Sequence, residues 1–264
     1  MPQSAGIQSN FSRHLFPNMT IVITIFFYIL SLNFTPSHKH FTKMYSIHGI
    51  DVSHHQKYVD WKKIADHSEF KVSFCFLKAT EGATHEDTRF MSNWKECSDA
   101  GIIRGAYHFY HPTRGAAEQA KNFINNVRLK SGDLAPVLDF EKDSPNANVI
   151  AVRKGLMKWL QLVENHYGIR PIIYTNTSIY NKYIKGHFKN YSLWLADYKS
   201  GNIHSLVKSP NLKFWQYTEK GKVSGITGNV DINAFVGAEE EFENLKLGYE
   251  NYDADIELES VSRK

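Results

Sequence analysis

Two hydrophobic periods take turns along this chain. From residue 45 onward, short apolar runs alternate with longer stretches that place an apolar residue every third or fourth position. "YSIHGIDVS", "FKVSFCFLKATEG", "IIRGAYHFYHP", "LAPVLDFE" and "RPIIYTN" are short, apolar and bounded by Gly, Pro, Asn or charged residues, which predicts five strands. Between them "VDWKKIADH", "DTRFMSNWKECSDAG", "GAAEQAKNFINNVR" and "NVIAVRKGLMKWLQLVENHYG" have helical spacing. The second closes on Gly101 and the fourth on Gly168, residues suited to the left-handed turn that ends a helix. After residue 176 the helices shrink, and "YSLWLADY", "LKFWQYT" and "GNVDINAFVG" predict three more strands joined by loops or single turns. Apolar strands alternating with helices need cover on both faces, so a parallel sheet is expected. The fold class predicted is α/β: an irregular (β/α) barrel of the TIM-barrel type, with reduced helices in its second half.

The pattern divides the chain into three segments. Residues 1–43 stand apart, because "MTIVITIFFYILSLNF" (19–34) is apolar and carries no charge. It is somewhat short for a membrane-spanning helix and somewhat long for a signal-peptide core. It reads as an export signal or membrane anchor. Arg13 precedes it and His38, Lys39, His40 and Lys43 follow, so flanking charge gives no orientation. Residues 44–240 form the expected barrel. Residues 241–264 are expected to hold the end of a short helix and a polar, acid-rich tail, "YENYDADIELESVSRK", with the composition of a disordered segment.

Composition changes this picture little. The 264 residues are 42% hydrophobic and 22% charged, enough to bury a sizeable core. A net charge of +4, without a Lys/Arg block, argues against nucleic acid as a partner. Cys75 and Cys97 lack metal-type spacing and read as one disulfide or two separate buried thiols. His54 and His55 are adjacent, a poor arrangement for ligating one ion, so no metal or other cofactor is expected.

The chemistry sits at the strand ends. "VLDFE" breaks its own apolar pattern with Asp139 and Glu141, which strand alternation places on one face with Phe140 opposite. Barrel enzymes build their sites where the strands end. Asp51 ends the first strand, Glu81 follows the second, and His108 and Tyr110 lie near the end of the third. Tyr174 ends the fifth, Asp197 lies on the sixth, Trp215 and Gln216 on the seventh and Asp231 on the eighth. Crowded carboxylates push some pKa values up and leave others ionised, which supplies the proton donor and the negative charge that glycosidic cleavage needs. A lone strand acid would more often be structural, and Glu81 is as well read as part of a loop salt bridge. His108 reads better as a packed histidine than as a base.

Eight motifs in order, "GIDVSHHQ", "LKATEG", "GAYHFYHP", "PVLDFE", "IIYTN", "LWLADY", "FWQYT" and "VDINAF", resemble glycoside hydrolase family 25, the Chalaropsis-type lysozymes, over about residues 45–237. The resemblance implies an irregular β/α barrel, no metal, and hydrolysis of the β-1,4 bond between N-acetylmuramic acid and N-acetylglucosamine in bacterial peptidoglycan. It implies Glu141 as general acid and Asp139 as the carboxylate that holds the substrate's N-acetyl group or stabilises positive charge. Asp51 and Asp231 complete the acidic pocket, and Tyr107, Tyr174, Trp194 and Gln216 become groove contacts. It also implies an exported, cell-envelope or extracellular enzyme acting on glycan strands, here expected as a monomer with anchoring through residues 19–34. Two carboxyls on one strand face do not easily flank a sugar, which favours assistance from the substrate's acetamido group. Among rivals, a chitinase-like or glucosaminidase barrel usually carries a further acid at the position of Val137. A wall-binding barrel without activity would tend to lose an acid, and all four are here. A membrane scaffold has only residues 19–34 in its favour.

Overall fold

The structure, a computed structural model, describes residue 41 and residues 43–66 and 71–248. The apolar run 19–34 and the tail 249–264 lie outside the described residues. Nine strands follow in chain order: β1 (His48–Val52), β2 (Val72–Glu81), β3 (His85–Glu86), β4 (Ile103–Phe109), β5 (Val137–Asp139), β6 (Ile172–Asn176), β7 (Ser192–Ala196), β8 (Leu212–Gly221) and β9 (Val230–Phe235). Their order in the sheet is β1-β9-β8-β7-β6-β5-β4-β2-β3, and pairing of β1 with β2 closes the first eight of these into a barrel. The two-residue β3 folds back antiparallel on the end of β2.

Helices α1 (Trp61–Ala65), α2 (Phe90–Asp99), α3 (Ala116–Asn126) and α4 (Val149–Tyr167) cover the first half. Asn148 caps α4 by accepting from the amides of Ile150 and Ala151, and Gly168 ends it at φ 72°. In the second half Thr177–Ile179, the π-helical turn Tyr180–Ile184 and Ile203–Leu206 are single turns. The thinning of helices expected from the pattern is what the fold shows.

Within the barrel, one strand departs from the parallel expectation. β9 runs antiparallel to both β8 and β1. Only residues 222–229 connect β8 to β9, too few for a crossover but enough for a hairpin, with Gly225 and Gly228 at positive φ. This reversal brings the start of β9, not its end, to the mouth of the barrel. Asp231 therefore stands beside Asp51 as its cross-strand partner.

Strand alternation sorts the core into two layers. Phe74, Phe76, Val137, Ile172, Tyr174, Trp194, Phe214 and Phe235 belong to a cluster that fills the barrel. Cys75, Leu77, Ala79, Leu138 and Ile173 belong to the layer beneath the helices, with Trp159, Phe123 and Leu156. Two glycines make the interior fit. A Cβ on Gly49 would lie 2.5 Å from the Phe74 ring, and one on Gly105 would lie 2.6 Å from the Phe76 ring. Both cysteines are free and fully buried.

The packed unit reaches past residue 240. Phe242 is buried against Phe74, Phe214 and Phe235, the Leu247 amide bonds the Asp133 carbonyl, and the Ala135 amide bonds the Leu245 carbonyl. It also includes Phe41, whose ring meets Trp215 edge-on at 4.7 Å.

Candidate active site

A cavity of about 250 Å³ opens at the mouth of the barrel, lined by Asp51, Tyr107, Asp139, Glu141, Tyr174, Trp194, Tyr198, Glu219 and Asp231. Strand parity explains the set. Asp139 and Tyr174 are register partners on β5 and β6, Tyr107 lies on β4 opposite Val137, one inward position before Asp139, and Asp51 and Asp231 face each other across β1 and β9. The fourth strand is shorter than the pattern suggests, ending at Asp139, so Glu141 lies beyond the ladder. It still shares the cavity because the chain stays extended. The Phe140 amide donates to the Tyr174 carbonyl at 3.0 Å, the Phe140 carbonyl accepts from the Thr175 hydroxyl at 2.7 Å, and Phe140 packs outward on Tyr110 and Tyr183.

The four acids sit in different surroundings. Asp51 is 7% exposed, and its Oδ2 accepts from Gln216 Nε2 at 2.9 Å and Asn233 Nδ2 at 2.8 Å. Burial raises its pKa, while those donors and a hydrogen bond with Asp231 oppose the rise. Asp231 carries the complementary shift. Burial, the Asp51 charge and their shared hydrogen bond, with Glu219 and Glu141 nearby, push it up to about 9. The two carboxyls therefore titrate as a pair, with Asp231 the one held protonated to higher pH and hydrogen-bonded to Asp51.

Asp139 is 6% exposed, and its Oδ1 is buried with no hydrogen-bond partner among the described residues. Burial and then the Glu141 charge raise its pKa well above the carboxylate range, against the pull of the Lys78 ammonium. Glu141 reaches solvent at the mouth. Burial of its carboxyl and the Asp51 charge raise its pKa, opposed by Lys142 and Lys78. A carboxyl whose pKa is raised, accessible at the mouth and beside the supported Asp51 carboxyl, has the surroundings suited to proton donation.

The aromatic and amide residues divide between lining and support. Tyr107 and Tyr174 line the cavity, as does one side of Trp194, whose Nε1 donates to Asn233 Oδ1 at 2.8 Å. Gln216, expected as a groove contact, lies beneath the lining at 2% exposure. Its Oε1 accepts from the hydroxyls of Tyr174 at 2.9 Å and Tyr198 at 2.6 Å, so Gln216 ties two lining tyrosines to Asp51.

Other strand-end residues are kept out. Glu81 bonds Lys78 Nζ at 2.6 Å and His111 Nε2 at 2.9 Å; burial would raise its pKa, yet those partners hold it at about 2. His108 is buried on the helix side between Thr80 and Gln119 and stacked on Trp159, and burial lowers its pKa to about 3. Asp197 caps a turn by accepting from the amides of Lys199 and Ser200. Tyr110 and Trp215 belong to the outer core. His54 Nδ1 bonds buried Asp87 at 2.6 Å, and among the described residues no group of three or more His, Cys, Asp or Glu is placed to hold a metal ion.

The family model for glycosyl hydrolases family 25 matches residues 50–226. The chain belongs to glycosyl hydrolase family 25. It is thus a glycoside hydrolase, and its likeness to solved members of the family agrees with the barrel described above. A family 25 glycosyl hydrolase from Bacillus anthracis superposes with a TM-score of 0.70 at 33% identity, over 77% of this chain and 94% of that one. A bacterial lysozyme from Streptomyces coelicolor superposes with a TM-score of 0.69 at 30% identity, over 77% and 98%. By sequence the chain is 34% identical to Lysozyme M1 of Streptomyces globisporus, over 73% of this chain and 68% of that protein. It is 37% identical to protein YegX of Escherichia coli, over 77% and 75%.

Within this family 25 site, sequence reasoning missed Tyr198, Glu219 and Asn233. A signal for Asn233 was present, since it lies two residues after Asp231 and shares its strand face. Tyr198 and Glu219 reach the cavity from beyond the end of β7 and from the irregular end of β8, where register shifts remove the parity that would have pointed to them.

Proposed function

We propose that this chain is a lysozyme, an exported N-acetylmuramidase that hydrolyses the β-1,4 bond between N-acetylmuramic acid and N-acetylglucosamine in bacterial peptidoglycan. The observation that carries the reading is the pairing of an accessible Glu141, its pKa raised, with a buried Asp139 whose Oδ1 has no hydrogen-bond partner among the described residues. The lysozymes among the relatives support the choice of substrate. Glu141 donates its proton to the glycosidic oxygen as the bond to C1 breaks. An unpaired buried acceptor costs about 1–3 kcal/mol, which Asp139 recovers by accepting the N–H of the substrate's acetamido group. That contact aims the acetamido oxygen at C1, where it forms the new bond. Water then opens the ring so formed, with Glu141 as base. Asp51, whose ionised form is favoured by hydrogen bonds from Asn233, Gln216 and Asp231, offsets positive charge on the reacting sugar. Tyr107, Tyr174 and Trp194 form the walls against which the sugar rings pack, and Gln216 positions Asp51 and Tyr174.

Product analysis tests the bond and the route. Full-length protein is incubated with purified peptidoglycan, and the fragments are reduced and identified by mass spectrometry. Reduced N-acetylmuramic acid ends are expected; N-acetylglucosamine ends would make the enzyme a glucosaminidase, the nearest alternative. Assistance by the acetamido group gives a product that retains the β configuration in the first moments of reaction. An inverted anomer, seen by NMR, would contradict that route.

A further inference from the structure

Acids ring the pocket, and cationic side chains gather on one side of it. On the side formed by β1, β9 and β8 stand Asp51, Asp231 and Glu219. Near the ends of β2, β4 and β5, beside the pocket acids Asp139 and Glu141, Lys78, His111 and Lys142 stand around the ring of Phe109, with Glu81 bonded to Lys78 and His111. A bulge in β2 between Lys78 and Thr80 builds this side. It turns Thr80 outward to His108 and leaves Lys78 beside Tyr107, where it can reach Glu81. The half-buried Phe109 ring has two ammonium groups near it, Lys78 Nζ at 4.9 Å and Lys142 Nζ at 4.8 Å from its centroid. Lys78 is tied to Glu81, and the next lysine on this face, Lys182, is tied to Asp143 at 2.8 Å. Exposed Lys142 has no acidic partner at ion-pair distance among the described residues, and it directly follows the acid Glu141.

We propose that Phe109 and Lys142 form a subsite for a carboxylate-bearing substituent of the glycan, the peptide carried by its muramic acid residues. The inference rests on the muramidase reading. An anionic branch is repelled by the pocket's own carboxylates, and at the rim the unpaired ammonium of Lys142 is the charge that compensates it. The Phe109 ring offers an apolar surface for the aliphatic part of a peptide, next to the residue that protonates the cleaved bond. Lys142 is thereby a specificity-determining residue, and Glu141 remains the acid.

The test compares two forms of one substrate. Soluble, un-cross-linked peptidoglycan strands are used as isolated, or with their peptide carboxylates converted to neutral amides by carbodiimide and methylamine. Full-length protein, Lys142→Gln and Lys142→Arg are assayed on both at low salt. Amidation is expected to lower kcat/KM of the unaltered protein about three- to fivefold, mainly through KM, the size of an exposed charge contact. The loss should vanish in Lys142→Gln, persist in Lys142→Arg, and fade in the unaltered protein at about 0.5 M salt. Any influence of Lys142 on the acidity of Glu141 acts on both substrates and cancels in the ratio. An equal loss in the unaltered protein and Lys142→Gln, or no loss in either, overturns the subsite. Failure of the unaltered protein to cleave either substrate overturns the muramidase reading itself, and the subsite with it.

Discussion

Asp51 is a carboxylate that the fold both desolvates and supports. It is nearly buried, yet Gln216 Nε2 and Asn233 Nδ2 donate to one of its oxygens, and Asp231 offers a proton. Hydrogen bonds to a charged group are worth about 1.5–3 kcal/mol, or roughly one to two pH units of acidity. Asn233→Ala removes a donor that favours the ionised form, so the Asp51 pKa should rise further. The acid limb of the kcat/KM profile is then expected to move up by about one pH unit, with the alkaline limb, which the proposed mechanism assigns to Glu141, little changed. A profile that moves on both limbs together would place Asn233 in general packing rather than in support of Asp51. At this scale the sequence was readable where chemistry contradicts pattern. Asp139 and Glu141 stand out because carboxylates interrupt an apolar strand. Gln216 did not reveal its supporting role, since a polar residue in "FWQYT" reads equally well as a wall or as a prop.

Among the elements, the strands were legible and their ends were not. Hydrophobic runs placed all eight barrel strands, and the glycines ending α2 and α4 placed two helix termini. The run "LAPVLDFE" overstates β5 because the strand's apolar character outlasts its ladder. Side-chain bonds from Thr175 and Asn176 to the carbonyls of Phe140 and Glu141 take over where backbone pairing stops. The direction of β9 is encoded in the length of a loop, which periodicity does not register. Gly49 and Gly105 lie inside predicted strands, where periodicity does not reveal their part in packing. Each occupies the space that an inward phenylalanine needs. Gly105→Ala, with its Cβ 2.6 Å from the Phe76 ring, is expected to destabilise the barrel by about 1–3 kcal/mol in urea unfolding. Gly101→Ala is the contrasting variant. Its Cβ meets nothing within 4 Å, so only the strain of φ 73° opposes it. Equal stability of Gly105→Ala and the unaltered protein would refute the tight fit.

Across the whole molecule, the site is held at a cost to stability. Asp51, Asp139, Glu141 and Asp231 all have raised pKa values, so the folded chain keeps protons that the unfolded chain releases. Their contribution is fully present below the ordinary carboxylate value and is lost as the pH rises toward about 9, the value for Asp231. The melting temperature is therefore expected to fall between about pH 5 and about pH 9. Asp231→Asn should raise it at about pH 8 and change it little at about pH 4. A melting temperature that climbs across the same interval in the unaltered protein would contradict this balance. Retention of the four acids despite that cost is the whole-molecule argument for a working enzyme over an inactive wall-binding barrel. The measurement that tests it most directly is the rate at which full-length protein and Glu141→Gln release new reducing ends from purified peptidoglycan, with circular dichroism to compare their folds. Unchanged folding with a rate reduced at least about a thousandfold in Glu141→Gln is the result expected of the general acid. Comparable rates in the two proteins would contradict the assignment of Glu141 and, with it, the account of the site.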